Sequence, residues 1–169
     1  MNPRLEKVYK ANRQILDSIE GLEIKSAIEE QYFFEGKLNE ESRGTLKLEL
    51  SNGKEITFNC DGDAESIKIN SGGFSDKGTL ETGFEDGRYK WNEKEFLKEE
   101  DLKSFGQIKQ TEIEILTTNY GEIQSGCRLS FQNGDFLHIW TIPSDNIFYG
   151  INEEPEYYKK DNLKIELKK

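Results

Sequence analysis

Histidine and cysteine are nearly missing from this sequence, at one and two residues of 169. Cys60 and Cys127 cannot form a disulfide framework, and with a single histidine they make no zinc signature. No apolar run approaches the ~20 residues that a membrane span needs. The opening MNPRLEKVYKANRQILDSIE is charged throughout and has no apolar stretch of the signal-peptide kind, so a soluble, cytoplasmic chain without a membrane partner is expected. Lysine and arginine never run longer than two in a row. Phosphate neutralisation supplies most nucleic-acid affinity, so no nucleic-acid partner is expected. The glycines of GGFSDKGT (72–79) lack the phosphate-loop spacing and its Lys-Ser/Thr ending. DGDAES (61–66) begins like a calcium loop through Asp61, Asp63 and Glu65, but Ser66 stands at the turn-glycine position and Gly72 where the closing glutamate belongs. No metal and no cofactor are expected.

What is present is acid and a core. The chain carries 33 acidic and 23 basic residues, a net charge of -10. Ile, Leu, Phe and Val supply 42 of 169 residues, about 25% and above the ~20% typical of disordered chains, and 19 residues are aromatic. The acidic pairs Glu29-Glu30, Glu40-Glu41 and Glu153-Glu154, and the Glu99-Glu100-Asp101 run, read as solubilising surface charge.

Leu5, Val8, Tyr9, Ile15, Leu16 and Ile19 recur at helical spacing, with Pro3 suited to a first turn and Gly21 to a left-handed stop. After Gly21, short alternating segments are separated by Asn-Gly, Asp-Gly and Gly-Gly, the punctuation of strands and turns. The expected fold is β-rich α+β, an N-terminal helix packed on two related antiparallel β-meanders in one domain. Its parts are a helix over 1–20, a first meander over 21–69 and a connector with a short helix over 70–105. A second meander over 106–151 and a C-terminal segment with an edge strand over 152–169 complete it. In the connector, Asn92 has capping-box spacing to Glu95. The meanders are related because GLEIKSAIEE (21–30) resembles GQIKQTEIEI (106–115) and TLKLELSNGKEITF (45–58) resembles GCRLSFQNGDFLHI (126–139), with a four-residue difference in between.

The two Asn-Gly turns fix a register. A two-residue loop would set Leu50 against Glu55, whereas the three-residue loop Ser51-Asn52-Gly53 aligns Leu48 with Ile56 and Leu46 with Phe58. The same loop in the second copy aligns Leu129 with Leu137 and Cys127 with Ile139, so Gly53 and Gly134 are predicted to be left-handed bulge residues. The inner faces are then apolar in both copies, and both cysteines read as small buried hydrophobes. The outer faces differ. The first holds Glu49, Glu55, Thr57 and Asn59, the second Arg128, Ser130, Phe136, His138 and Trp140. Internal packing under the helix or the other sheet explains such a face without function. The functional reading makes Arg128, Phe136, His138 and Trp140, with Asp145 in the adjoining turn, a partner-binding patch.

The segment CRLSFQNGDFLHIWTIPSDNIFYGI (127–151) resembles strand-rich segments of small acidic bacterial proteins, some of them immunity proteins encoded beside polymorphic toxins. That resemblance implies a non-enzymatic inhibitor of a toxin in the cytoplasm and transfers no functional residues. It agrees with the charge, which favours a basic protein partner such as a toxin domain. Two rival readings remain. One is a small-ligand or carbohydrate-binding module stacking on Trp140, Phe136 and Trp91, and the other is an enzyme acting through His138 and nearby carboxylates.

Overall fold

A computed structural model describes residues 3–60, 66–74, 89–142, 146–160 and 163–169. Asp61, Asp63 and Glu65 of the calcium-like turn, residues 75–79 of the glycine-containing segment, and Asp145 lie outside the described residues.

The apolar stripe at the start becomes helix α1 (Pro3–Asp17), whose Leu5 and Leu16, with Ile19 just beyond, are buried. Gly21 then turns in the left-handed region at φ 84° and donates its N–H to the Ile108 carbonyl at 2.8 Å. The first sheet has strands β1 (Ile24–Phe34), β2 (Lys37–Leu50), β3 (Glu55–Cys60), β4 (Ile67–Ser71) and β5 (Tyr89–Glu95), in the spatial order β4-β3-β2-β1-β5. Helix α2 (Glu99–Phe105) leads into the second sheet. Its strands are β6 (Ile108–Thr118), β7 (Gly121–Phe131), β8 (Phe136–Ile142), β9 (Asn146–Ile151) and β10 (Lys164–Lys168), in the order β10-β6-β7-β8-β9. Every pairing in both sheets is antiparallel, and the fold is the expected β-rich α+β type.

Both halves follow one plan: a helix, a four-strand meander, and a fifth strand returned to the free edge of the first. The likeness extends to irregularities. β1 pairs Ile24 with Leu50 and then Ser26 with Glu49, while β6 pairs Ile108 with Phe131 and then Gln110 with Ser130, so each first strand bulges at its second residue. A second bulge lies on the partner strand in both copies, between Arg43 and Leu46 in β2 and between Gln124 and Gly126 in β7. Bulges re-aim a strand and interrupt its ladder, so their recurrence at matched places marks one supersecondary unit used twice.

The predicted turns are present. Gly53 (φ 81°) donates to the Leu50 carbonyl at 2.9 Å, and Gly134 (φ 97°) to Phe131 at 3.1 Å. Leu46 pairs with Phe58, Leu48 with Ile56, Leu129 with Leu137 and Cys127 with Ile139. The resulting inner faces pack together as one core, with β9 lying over β2 and β3, and β4 against β7. α2 adds Leu102 and Phe105, the latter stacked on Phe131 at 4.6 Å. Of the cysteines, Cys127 is fully buried, whereas Cys60 is half-buried and donates its thiol to the Asn146 carbonyl at 3.2 Å.

Two expectations about the connector need correction. Asn92 caps no helix; it sits within β5 opposite Gln31, and helix α2 starts seven residues later behind Lys98. Lysine and glutamate favour helix locally, but a seven-residue ladder with β1 overrides that preference. The connector thus supplies a strand of the first sheet.

Asn12 occupies the buried stripe of α1 and was not singled out by the hydrophobic pattern. Its amide donates to the Ile67 carbonyl and to Gln124 Oε1, both at 3.1 Å, and its Oδ1 accepts the Ile69 N–H at 3.0 Å. One side chain thereby ties the helix to β4 of one sheet and β7 of the other. An Asn12→Ala protein is expected to lose about 1–3 kcal/mol for each buried partner left unpaired, read by urea denaturation. A loss below about 0.5 kcal/mol would refute this role.

Candidate functional site

The outer face of the second sheet is covered, though neither by α1 nor by the other sheet. β9 and β10 occupy opposite edges of that sheet, so the chain between them must cross it. Residues 152–160 form this strap. Asn152, in the left-handed region at φ 56°, accepts the Phe136 N–H on its Oδ1 at 3.0 Å, and Glu154 meets Arg128 at 3.1 Å. A short 3₁₀ turn (Glu156–Lys159) then lowers two tyrosines onto the sheet.

Beneath them lies a buried polar cluster centred on Glu114 and His138, both 0% exposed. His138 Nε2 is 2.9 Å from Glu114 Oε2. Oε1 accepts the Tyr157 hydroxyl at 2.5 Å and the Ser125 hydroxyl, and Oε2 also accepts Tyr158. Burial pushes the Glu114 carboxyl up, but the bond and charge of His138, with the Ser125 and Tyr157 hydroxyls, hold it below its ordinary value. Glu114 is therefore an acceptor, and Nε2–H of His138 donates to it. Burial first, and the Glu114 charge second, push both tyrosine hydroxyls up, so they remain protonated donors.

This arrangement redistributes the predicted patch. His138 is sealed under the strap and offers a partner no surface, because its ring lies among Trp140 at 5.2 Å, Tyr158 at 5.7 Å and Glu114. Trp140 is half-buried and stacked with Phe148 at 6.2 Å. The Arg128 guanidinium lies 4.3 Å from the Phe136 ring centre while bound to Glu154, which leaves these two at the margin of the strap. Arg128, Phe136, His138 and Trp140 do share one face, whereas Asp145 lies outside the described residues. The signal for Glu114 was its place between Ile113 and Ile115, which alternation aims at the same face as Trp140 through the pairs Glu114–Gly126 and Gly126–Trp140.

No protein-family model, curated protein or solved structure matches this chain. Among the described residues no helix is long and apolar enough to cross a membrane, and no group of three or more His, Cys, Asp or Glu is placed to hold a metal ion.

A second candidate surface lies at the end of the β1–β2 hairpin. The ladder passes from Gln31 opposite Arg43 to Phe33 opposite Leu38, so the four residues 39–42 of β2 stand against the single residue Tyr32 of β1, an excess of three. The β6–β7 hairpin has no matching excursion. Three residues of the four-residue spacing difference between the sequence copies are thus accommodated here. The excursion opens a cleft of about 390 Å³ lined by Glu29, Glu30, Gln31, Leu38, Asn39, Glu40 and Lys94. Glu29 and Glu30 are 6% and 7% exposed, so this pair is not the solvated surface charge its sequence implied. Glu29 faces the core side, where Tyr149 donates its hydroxyl at 2.9 Å. On the rim, Phe34 and Leu38 are each 41% exposed.

Proposed function

We propose that the chain is a non-enzymatic binding protein, an immunity-type inhibitor that neutralises a basic toxin. The observation that carries this reading is the use made of the single histidine: it lies fully buried and donates to a carboxylate that also binds the strap. Its chemistry is committed to holding the fold. What the surface offers a partner is a net charge of -10, which accelerates encounter with a basic protein and disfavours acidic ones.

Co-expression with the product of the adjacent reading frame tests this. A basic protein is expected to co-purify at about 50 mM salt, to dissociate measurably faster near 500 mM, and to be harmless to cells only while the acidic chain is present. Absence of any complex, or a complex indifferent to salt, would reject the proposal. The ligand-binding alternative draws on the acid-lined cleft and on the tilted Tyr32–Trp91 pair, 5.0 Å between ring centres. Thermal-shift screening against oligosaccharides and small amines distinguishes it.

A further inference from the structure

We infer that Asn52 is a site of spontaneous covalent modification, losing its side-chain amine as ammonia through a cyclic imide with Gly53, while Asn133 in the matching turn is protected. The inference stands on the two turns and does not depend on the inhibitor reading.

Asn-Gly suits this reaction because glycine has no side chain to crowd its own nitrogen. The Gly53 nitrogen loses its proton to solvent and attacks the side-chain carbonyl carbon of Asn52. A carbon–nitrogen bond forms there, the bond to Nδ2 breaks, and the amine takes up a proton and leaves as ammonia. Water then opens the imide at either carbonyl, so aspartate or isoaspartate replaces asparagine.

The two Asn-Gly pairs sit in loops of one geometry, and much about them is equal. Both asparagines are exposed, both glycines are left-handed, and each glycine N–H donates to the carbonyl three residues back. In each loop the asparagine Oδ1 accepts the N–H two places on, from Lys54 at 3.0 Å and from Asp135 at 2.9 Å. What differs is the leaving amine. Asn133 Nδ2 donates to the Asp135 carboxylate at 2.7 Å, and the other oxygen of that carboxylate is held by Asn152 at 2.8 Å. The Asn133 N–H is itself fixed on the Phe105 carbonyl at 3.2 Å. Among the described residues Asn52 makes neither bond, and a lysine stands where the second loop has its aspartate. Closing the imide turns the side chain back onto its own glycine nitrogen. At Asn133 that turn breaks a charge-assisted bond in addition to the one both loops share. The Asp135 charge also opposes proton loss at the Gly134 nitrogen, whereas the Lys54 charge favours it at Gly53.

The test incubates the full chain in mildly alkaline buffer and follows both sites by peptide mass spectrometry, with the aspartate and isoaspartate products separated by chromatography. Asn52 is expected to convert about tenfold faster than Asn133, the rate equivalent of one further bond to a charged group. In concentrated urea, where neither loop exists, the two rates are expected to converge. Lys54→Asp brings the carboxylate of the second loop into the first, at an exposed residue bonded, among the described residues, only through its main chain. It is expected to slow Asn52 severalfold and to leave the thermal midpoint in place. Equal rates in the folded parent, or a faster Asn133, would overturn the inference. So would an Asn52 that stays intact in the folded chain while the urea-unfolded chain converts. A tenfold difference that survives in urea would assign the effect to flanking residues and not to the fold, and an unchanged Asn52 rate in Lys54→Asp would show that the carboxylate gives no protection; either result sinks the proposal.

Discussion

Replacing Glu114 with alanine is expected to cost at least about 3 kcal/mol, since each buried donor left without its acceptor costs about 1–3 kcal/mol. The size follows from the number of groups stranded together. His138, Ser125, Tyr157 and Tyr158 all donate to this one carboxylate, and the first three are buried away from water that could replace it. The loss has a direction as well as a magnitude, because two of the four donors belong to the strap. Protease sensitivity is expected to appear first within residues 152–160, before the meanders open. Urea denaturation gives the free energy, and limited proteolysis followed by mass spectrometry gives the site. A change below about 1 kcal/mol would mean the cluster is a passive filling of the face.

The same carboxyl predicts an acid dependence. Its folded value lies below the ordinary 4.5, so the unfolded chain binds this proton more readily than the folded one. The stabilisation is complete above about pH 4.5 and is lost as pH falls through the depressed folded value. Glu114→Gln is expected to flatten that acid limb selectively while leaving the neutral-pH spectrum native. An unchanged limb would place the acid sensitivity in other carboxylates.

Phe58→Ala is expected to have an effect of similar size, about 3–5 kcal/mol, by a different route. Phe58 is fully buried between Leu46 and Ile69 in the first sheet. Its counterpart in the second half is Ile139, set between Cys127 and Tyr149. Large and small side chains thus alternate differently across the two inner faces. The cost is expected without any pH dependence and without preferential cleavage of the strap, which separates it from the Glu114 variant in one set of denaturation curves. A loss under 1.5 kcal/mol would mean that Tyr149, whose ring already meets Phe96 at 4.9 Å, swings in to fill the space.

The parts of the fold that were legible in the sequence are those governed by near neighbours. The bulged Asn-Gly turns followed from requiring Leu48 and Ile56 to share a face, and the structure pairs them so. The repeat was legible because its turns and inner-face residues recur in order. Long-range partners left no such trace. β5 is a polar, lysine- and glutamate-rich segment whose strand character comes from β1, some 60 residues earlier in the chain. Asn12 interrupts an apolar stripe, and its reason to be there lies in distant partners, the backbone of Ile67 and Ile69 and the Gln124 side chain. The histidine-bearing face was correctly seen as unusual, but its cover is a pair of tyrosines whose approach depends on β10 joining the far edge of the sheet. Glu29 and Glu30 looked solvated because nothing local announces the excursion of β2 that shelters them.

The strap has a spectroscopic consequence. With one histidine in 169 residues, the protein contributes a single imidazole to any spectrum, and that ring sits where residues 152–160 close on the sheet. Its ring protons, shifted by Trp140 and Tyr158, report one event without isotope labelling of the remainder. Each opening of the strap moves that lone resonance toward its free-solution position, so the lifetime of closure can be read from a line width.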